Sequence, residues 1–434
     1  MYAPSRWLPH PDLMTVFGPL FRPVPRVPVK RERWELSDGD FVDVDRLAGP
    51  REAPLLLVLH GLEGSSSAHY VRGLLAQARA RGWRAWALNF RGCSGDINRL
   101  VRSYHSGETG DLDELVRRAR GEADRIAIAG FSLGGNVLVK WLGEQGGSVL
   151  REIKAAAALS VPFDLKLCAE TLDGPGFWRW VYRTRFLRSL KRKSLEKLRR
   201  FPGAADESRV RNSRTLVQFD DALTARIHGF SGATDYYTQS SSGPFVEGVR
   251  IPLLLLSAAD DPFIPSHCIP RPRNPLVSVE LSPKGGHLGF VEGPPWKPRF
   301  YAESRTMEFL SRNTETRTRT LNADPNPNLD QRGAKAPRPQ PKTRPKRETR
   351  ETAPSQGPLP APRFPTVRLL QVHVVLVVRR LARGVVLVGG AVTTRRENPG
   401  VGRDAPLVDQ GVGVDVADGH RVEPGGRRAR QTRL

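Results

Sequence analysis

One short stretch, residues 125–136, constrains the fold of this chain more than any other. An apolar run reaches Gly130, the chain turns at Ser132, and Gly134 precedes a helical pattern over residues 137–142. The pattern G-x-S-x-G between a strand and a helix predicts a sharp turn that holds the serine Oγ clear of the sheet. The alternative interpretation is a strand–turn–helix junction in which the serine is only a small polar turn residue. We interpret the stretch as a nucleophile elbow.

Apolar runs and helical patterns alternate on both sides of this turn. The predicted strands cover residues 55–59, 84–90, 155–161, 251–257 and 276–281, and the predicted helices cover 70–81, 111–122 and 300–310. This alternation predicts an α/β fold with a doubly wound, mostly parallel sheet, preceded by a β-hairpin over residues 30–45. Residues 164–237 are instead helical, aromatic and basic, which predicts an inserted helical cap.

The chain divides into three predicted parts. Residues 1–29 form an irregular N-terminal arm, residues 30–312 form the α/β domain with its cap, and residues 313–434 form a tail. The tail lacks apolar periodicity, which predicts disorder. It is more basic per residue than the rest of a chain with a net charge of +23. A basic tail is able to bind nucleic acid through phosphates. Its composition is equally typical of out-of-frame translation of GC-rich DNA, so we assign it no function and expect no specific nucleic-acid partner.

Composition and patterning also bear on location. The cysteines, Cys93, Cys168 and Cys268, are odd in number and lack metal-ligand spacing, which favours a reduced, cytoplasmic protein. The N-terminus has no apolar signal core, and the most apolar late segment, residues 372–392, is broken by arginines. We therefore expect a protein that contacts membranes peripherally at most. The Lys/Arg run at residues 183–200 is more simply a solvated helix face than a surface for anionic lipid head groups.

Three predicted strand ends carry the residues of a catalytic triad in chain order. Ser132 follows one strand, Asp260 and Asp261 follow another, and His287 follows the last. A serine hydroxyl needs an adjacent base, and an imidazole needs a carboxylate that fixes its tautomer. The carboxyl ends of parallel strands share one edge of the sheet, so these side chains are expected to meet there. We choose Asp261 as the acid because it precedes a proline, and Asp260 remains its rival.

Two backbone amides are expected to form an oxyanion hole. One belongs to Leu133, directly after the serine, and the other to the loop at residues 60–62, where Leu62 is the better candidate. The scattered histidines and cysteines indicate no metal site, and nothing in the sequence calls for a cofactor.

Many separated blocks of this chain resemble the YheT-type branch of the α/β-hydrolases, which includes ABHD-type eukaryotic relatives. The resemblance covers about residues 8–312. Its blocks are residues 10–15, 60–66, 89–95, 98–99, 104–107, 130–136, 214–216, 219–221, 235–237, 259–263 and 285–292. The front block departs from the family's usual His-Leu-Gln-Thr core, since this chain has Pro11-Asp12-Leu13-Met14-Thr15.

The resemblance implies a serine hydrolase that cleaves carboxylic esters, lipid esters among them, through an acyl-serine intermediate. Three other functions stay open: acyl transfer to an alcohol at the same site, a catalytically inactive hydrolase fold that serves as a binding module, and nucleic-acid binding through the basic tail and cap. The sequence leaves the natural substrate, the acyl-chain length and the oligomeric state open.

Overall fold

A computed structural model describes residues 2–319 of the chain, with side chains up to residue 314. Eight strands form one sheet in the order β1-β2-β4-β3-β5-β6-β7-β8. They are β1 (Val29–Glu35), β2 (Phe41–Leu47), β3 (Leu55–Leu59), β4 (Arg84–Asn89), β5 (Ile126–Phe131), β6 (Ile153–Leu159), β7 (Leu253–Ala258) and β8 (Val277–Ser282). Strands β3 to β8 pair in parallel, and only the β1–β2 and β2–β4 pairs are antiparallel. The predicted doubly wound, mostly parallel sheet is confirmed.

Helices cover both faces of this sheet. They are α2 (His69–Ala80), α3 (Gly110–Arg120), α4 (Leu133–Gln145) and α11 (Tyr301–Arg319). In β3, Leu55, Leu57 and Leu59 pack toward α3 and α4, whereas Leu56 and Val58 pack toward α2 and α11. A strand buried on both faces has no polar side, which explains the continuous apolar run that predicted it.

Between β6 and β7 the chain forms a helical cap. Its helices are α5 (Leu165–Asp173), α6 (Phe177–Arg200), α7 (Glu207–Asn212), α8 (Leu216–Phe219), α9 (Ala225–His228) and α10 (Ala233–Ser240). They share a hydrophobic core of their own, to which Tyr182, Phe219 and Tyr237 contribute. These helices run from residue 165 to residue 240, and the sequence predicted a cap over residues 164–237.

The N-terminal segment corrects one expectation. Instead of an irregular arm, residues Pro11–Phe21 form helix α1, with Pro19 inside it. The first turn tolerates a proline because its amide needs no intrahelical partner, and His10 Nδ1 accepts a hydrogen bond from the amide of Asp12 at 3.3 Å. Two short strands, β9 (Val291–Glu292) and β10 (Arg299–Phe300), pair with each other, and Val291 packs against α1.

The last described helix, α11, runs past the predicted domain end at residue 312 to Arg319. The predicted tail lies outside the described residues from 320 onward, as does the apolar segment at 372–392. In the described part of the chain, every helix is too short or too polar to cross a bilayer.

Candidate active site

The elbow serine stands on the turn between β5 and α4. Ser132 has φ 52° and ψ −118°, a conformation that L-residues rarely adopt. Gly130 and Gly134 make the turn possible: a Cβ on Gly130 would collide with the backbone of Gly134, and one on Gly134 with the carbonyl of His60. The first amides of α4 begin directly beside the serine, which places the positive end of a helix dipole there.

Three of the predicted residues form one chain of hydrogen bonds. The Ser132 hydroxyl donates to His287 Nε2 at 3.0 Å, and His287 Nδ1 donates to Asp261 Oδ2 at 2.9 Å. Both His287 and Asp261 are 9% exposed, so water competes little for the imidazole–carboxylate bond. Such an arrangement can activate a hydroxyl, because the imidazole is able to take its proton while the carboxylate stabilises the resulting imidazolium.

The two neighbouring aspartates contact different partners. Asp261 Oδ1 accepts hydrogen bonds from the amides of Phe263 and Ile264 at 2.8 and 3.3 Å, which aims its other oxygen at His287. Asp260 accepts instead from the Gly286 amide at 2.9 Å, and burial raises the pKa of its carboxyl. Asp260 therefore holds the loop that carries His287 without touching the ring.

Helix α1 also contacts that loop, a contact that the sequence analysis missed. The His287 amide donates to Thr15 Oγ1 at 2.9 Å, and the Thr15 hydroxyl donates to the Pro11 carbonyl at 2.8 Å. Gly286, at φ 58°, lies so close that a Cβ would sit 2.6 Å from the Pro11 carbonyl oxygen. The only signal for this contact was the front motif at residues 10–15.

The predicted oxyanion loop is held tightly against the serine. His60 Nδ1 donates to the Gly61 carbonyl at 2.8 Å, and its Nε2 accepts from the Phe90 amide at 3.1 Å. Burial lowers the pKa of His60 to about 4, so the ring is neutral and suited to both bonds. The Tyr70 hydroxyl accepts from the Gly61 amide at 3.0 Å. A Cβ on Gly61 would lie 3.1 Å from Ser132 Cβ.

The two amides predicted for the oxyanion hole belong to residues that line the same cavity as the serine. Leu62 and Leu133 border the same cavity as Ser132 and His287. Among residues 2–319, neither amide donates a hydrogen bond within the protein. Two amide donors thus remain available beside the hydroxyl.

Two openings of different character meet at Ser132. The first is a cavity of about 130 Å³ under the cap. Its walls are mostly apolar side chains, chiefly Leu165, Ala169, Leu172, Phe186, Leu190, Leu216, Phe219, Phe263 and Ile264. Such a wall suits an acyl chain.

The second opening is a wider cleft of about 800 Å³, which also reaches Ser132 and His287. It is more polar, and Arg185, Arg192 and Lys193 of α6 line it. Glu63 and Glu196 line it as well, and Lys193 pairs with Glu63 at 2.6 Å. Three cationic side chains against two carboxylates leave the cleft with one excess positive charge.

Within the described residues, no cluster of three or more His, Cys, Asp or Glu side chains is arranged to hold a metal ion.

Comparisons with known proteins place the chain in a family. The sequence profile of the family described as alpha/beta hydrolase fold matches residues 54–294. YheT of Escherichia coli K12, an inferred esterase, is 39% identical over 324 residues, which cover 72% of this chain and 94% of YheT. The human phospholipase ABHD3 is 30% identical over 306 residues, which cover 67% of this chain and 74% of that protein. The solved esterase Pf2001 of Pyrococcus furiosus is 16% identical at a TM-score of 0.43, over 72% of this chain and 99% of that one.

Proposed function

Because this chain belongs to the α/β-hydrolase family, we propose that it is a serine hydrolase that cleaves carboxylic esters. The observation that carries the proposal is the chain of hydrogen bonds from Ser132 through His287 to Asp261. In the proposal Ser132 is the nucleophile, His287 the general base and acid, and Asp261 the residue that orients the imidazole.

The reaction follows from these positions. Ser132 Oγ attacks the ester carbonyl while His287 Nε2 accepts its proton, and the amides of Leu62 and Leu133 stabilise the negative oxygen that develops. The imidazolium then protonates the leaving alcohol, which leaves an acyl group on Ser132. Water attacks this acyl-serine with His287 again acting as base, and the free acid departs.

The two openings suggest where the two portions of an ester substrate bind. The apolar cavity suits the acyl chain, and the cationic cleft suits the polar alcohol portion. Relatives named as a phospholipase and a monoacylglycerol lipase support lipid esters as one substrate class. The odd number of cysteines, with Cys93, Cys168 and Cys268 all outside disulfides, favours the cytoplasm as the place of the activity.

The first test is hydrolysis of 4-nitrophenyl esters with acyl chains of two to twelve carbons. We expect wild type to hydrolyse part of this series and Ser132→Ala to lose at least a thousandfold in kcat/KM. Ser148→Ala, at an exposed serine in the short turn after α4, is the matched control and should keep wild-type rates. Equal rates for wild type and Ser132→Ala would overturn the proposal.

A second candidate is acyl transfer to an alcohol, which the wide cleft beside Ser132 favours because it admits molecules larger than water. Adding glycerol during ester turnover separates the two functions. New glycerol ester forming faster than free acid would identify a transferase, whereas free acid as the main product supports a hydrolase.

A further inference from the structure

The apolar cavity beside Ser132 contains one acidic side chain. Among the described residues that line it, Asp220 is the only one with a carboxyl group. It begins the wide helical turn Asp220–Thr224, which connects α8 to α9 in the cap. Asp220 retains partial exposure and borders the cavity. A molecule that fills the cavity therefore lies beside Asp220.

The contacts of Asp220 leave its charge without a counterion. The Thr224 hydroxyl donates to Oδ1 and the Tyr237 hydroxyl to Oδ2, each at 2.7 Å. Both donors are neutral, and no described cationic side chain forms an ion pair with Asp220. A carboxylate has about four acceptor positions, so these two bonds leave acceptor capacity toward the cavity. Burial raises the pKa of Asp220 to about 6, which still leaves the group mostly ionised near pH 7.5.

A neighbouring aspartate of the cap shows what a purely structural carboxylate looks like in the same region. Asp173 accepts hydrogen bonds from the amides of Leu216 and Val217 at 2.8 and 3.0 Å, so both of its oxygens hold the start of α8. It does not line the cavity. Asp220 holds no backbone amide; its bond from Tyr237 joins the turn to α10, and unlike Asp173 it lines the cavity, where a ligand would contact it.

We propose that Asp220 makes the acyl cavity selective for esters whose acyl chain carries a hydroxyl group, which donates a hydrogen bond to this carboxylate. The inference rests on the proposed ester hydrolysis and specifies its substrate class. A hydroxyl adds one donor to an otherwise apolar chain, and Asp220 is the one charged acceptor among the described residues of a mostly apolar wall that also contains neutral hydroxyl and imidazole groups. A terminal carboxylate on the acyl chain would be repelled, and an ammonium group would lose more hydration than one carboxylate replaces.

The experiment compares kcat/KM for 4-nitrophenyl octanoate with that for hydroxyoctanoates in which the hydroxyl is moved along the chain. In the full-length wild type at pH 7.5, we expect the best-placed hydroxyl to raise kcat/KM by about tenfold or more. Asp220→Asn should lower the ratio of kcat/KM for this hydroxyoctanoate to that for octanoate by severalfold or more. Glu207→Gln, an exposed carboxylate of the cap that does not line the cavity, is the matched control, and its ratio should equal that of wild type.

A measurement on wild type alone covers the case in which Asp220→Asn fails to fold. The ratio of kcat/KM for the best hydroxyoctanoate to kcat/KM for octanoate should fall as the pH drops through about 6, where Asp220 takes up a proton and loses its charge. Because both esters use the same Ser132 and His287, the titration of the catalytic groups cancels in the ratio.

The outcomes separate this inference from the function on which it rests. Hydrolysis of octanoate with a ratio near one at every hydroxyl position would overturn the role of Asp220 and leave ester hydrolysis intact. A ratio that is high but unchanged in folded Asp220→Asn would do the same. Absence of hydrolysis for every ester would overturn both.

Discussion

At the scale of single residues, the two adjacent aspartates divide two tasks between them. Asp261 contacts the imidazole of His287, and Asp260 contacts the backbone of the loop that carries it. Asp261→Asn should therefore lower kcat by about 10⁴-fold, because an amide no longer fixes the tautomer or stabilises the imidazolium. Asp260→Asn should cost far less. Steady-state kinetics on one ester measures both losses of kcat. A larger loss in Asp260→Asn than in Asp261→Asn would make Asp260 the triad acid.

Thr15 is a positioning residue for the same histidine. Thr15→Val removes the acceptor for the His287 amide and should lower kcat by about ten- to a hundredfold, since a small misplacement of the base is costly. KM should change little because Thr15 acts through His287. Thr15→Ser keeps the hydroxyl and should restore kcat. If Thr15→Val were as active as Thr15→Ser, the contact would have no part in catalysis.

The site residues differ in how readily the sequence alone identifies them. Ser132, the Asp260–Asp261 pair and His287 each follow a predicted strand, so sequence pattern finds them with their chain order, but the contact that separates Asp261 from Asp260 appears only in the structure. The roles of Thr15 and Asp220 depend on contacts with distant segments, such as the 272 residues between Thr15 and His287. No local pattern encodes such a contact.

At the scale of elements, the antiparallel edge of the sheet is joined to the rest by a buried carboxylate. Burial alone would raise the pKa of Asp45 on β2, but hydrogen bonds from Arg31 on β1 and from Ser66 hold it below its ordinary value. Arg72 of α2 contacts the same carboxylate at 3.3 Å. Asp45 thus ties β1, β2 and α2 together.

Asp45→Asn should therefore lower the free energy of unfolding at pH 7 by about 1–2 kcal/mol. The pKa is lower in the folded than in the unfolded state, so this stabilisation is present above about pH 4 and is lost as the pH falls through the folded value. Thermal unfolding at successive pH values should show the gap to wild type closing below pH 4. Asp124→Asn, at an exposed position, is the control. A gap independent of pH would contradict this explanation.

Individual strands and helices differ in how well the sequence predicts them. Strands buried on both faces, such as β3, are visible because nothing polar interrupts them. Helix α1 was missed because Pro11 and Pro19 mask its pattern, and its stability comes from tertiary contacts such as those of the buried Met14. Tertiary packing overrides local propensity in that segment.

At the scale of the whole molecule, every residue assigned to the site lies within residues 2–319. A chain ending at Arg319 should therefore keep the kcat/KM of the full chain for simple esters. A drop of tenfold or more, with unchanged thermal unfolding of the shortened chain, would show that residues 320–434 contribute to the site. For the basic helix α6 a solvated face stays the expectation, and contact with anionic lipid stays its alternative, which the 47% and 44% exposure of Phe177 and Trp180 at the start of that helix would serve.

The central claim is that Ser132 is an activated nucleophile, and covalent labelling with a fluorophosphonate probe tests it most directly. The probe reacts with serines that an adjacent base has activated. We expect wild type to be labelled at Ser132, identified by mass spectrometry of the modified peptide, and Ser132→Ala to remain unlabelled while folded. A folded wild type that stays unlabelled would contradict the account and favour a hydrolase fold that serves as a binding protein.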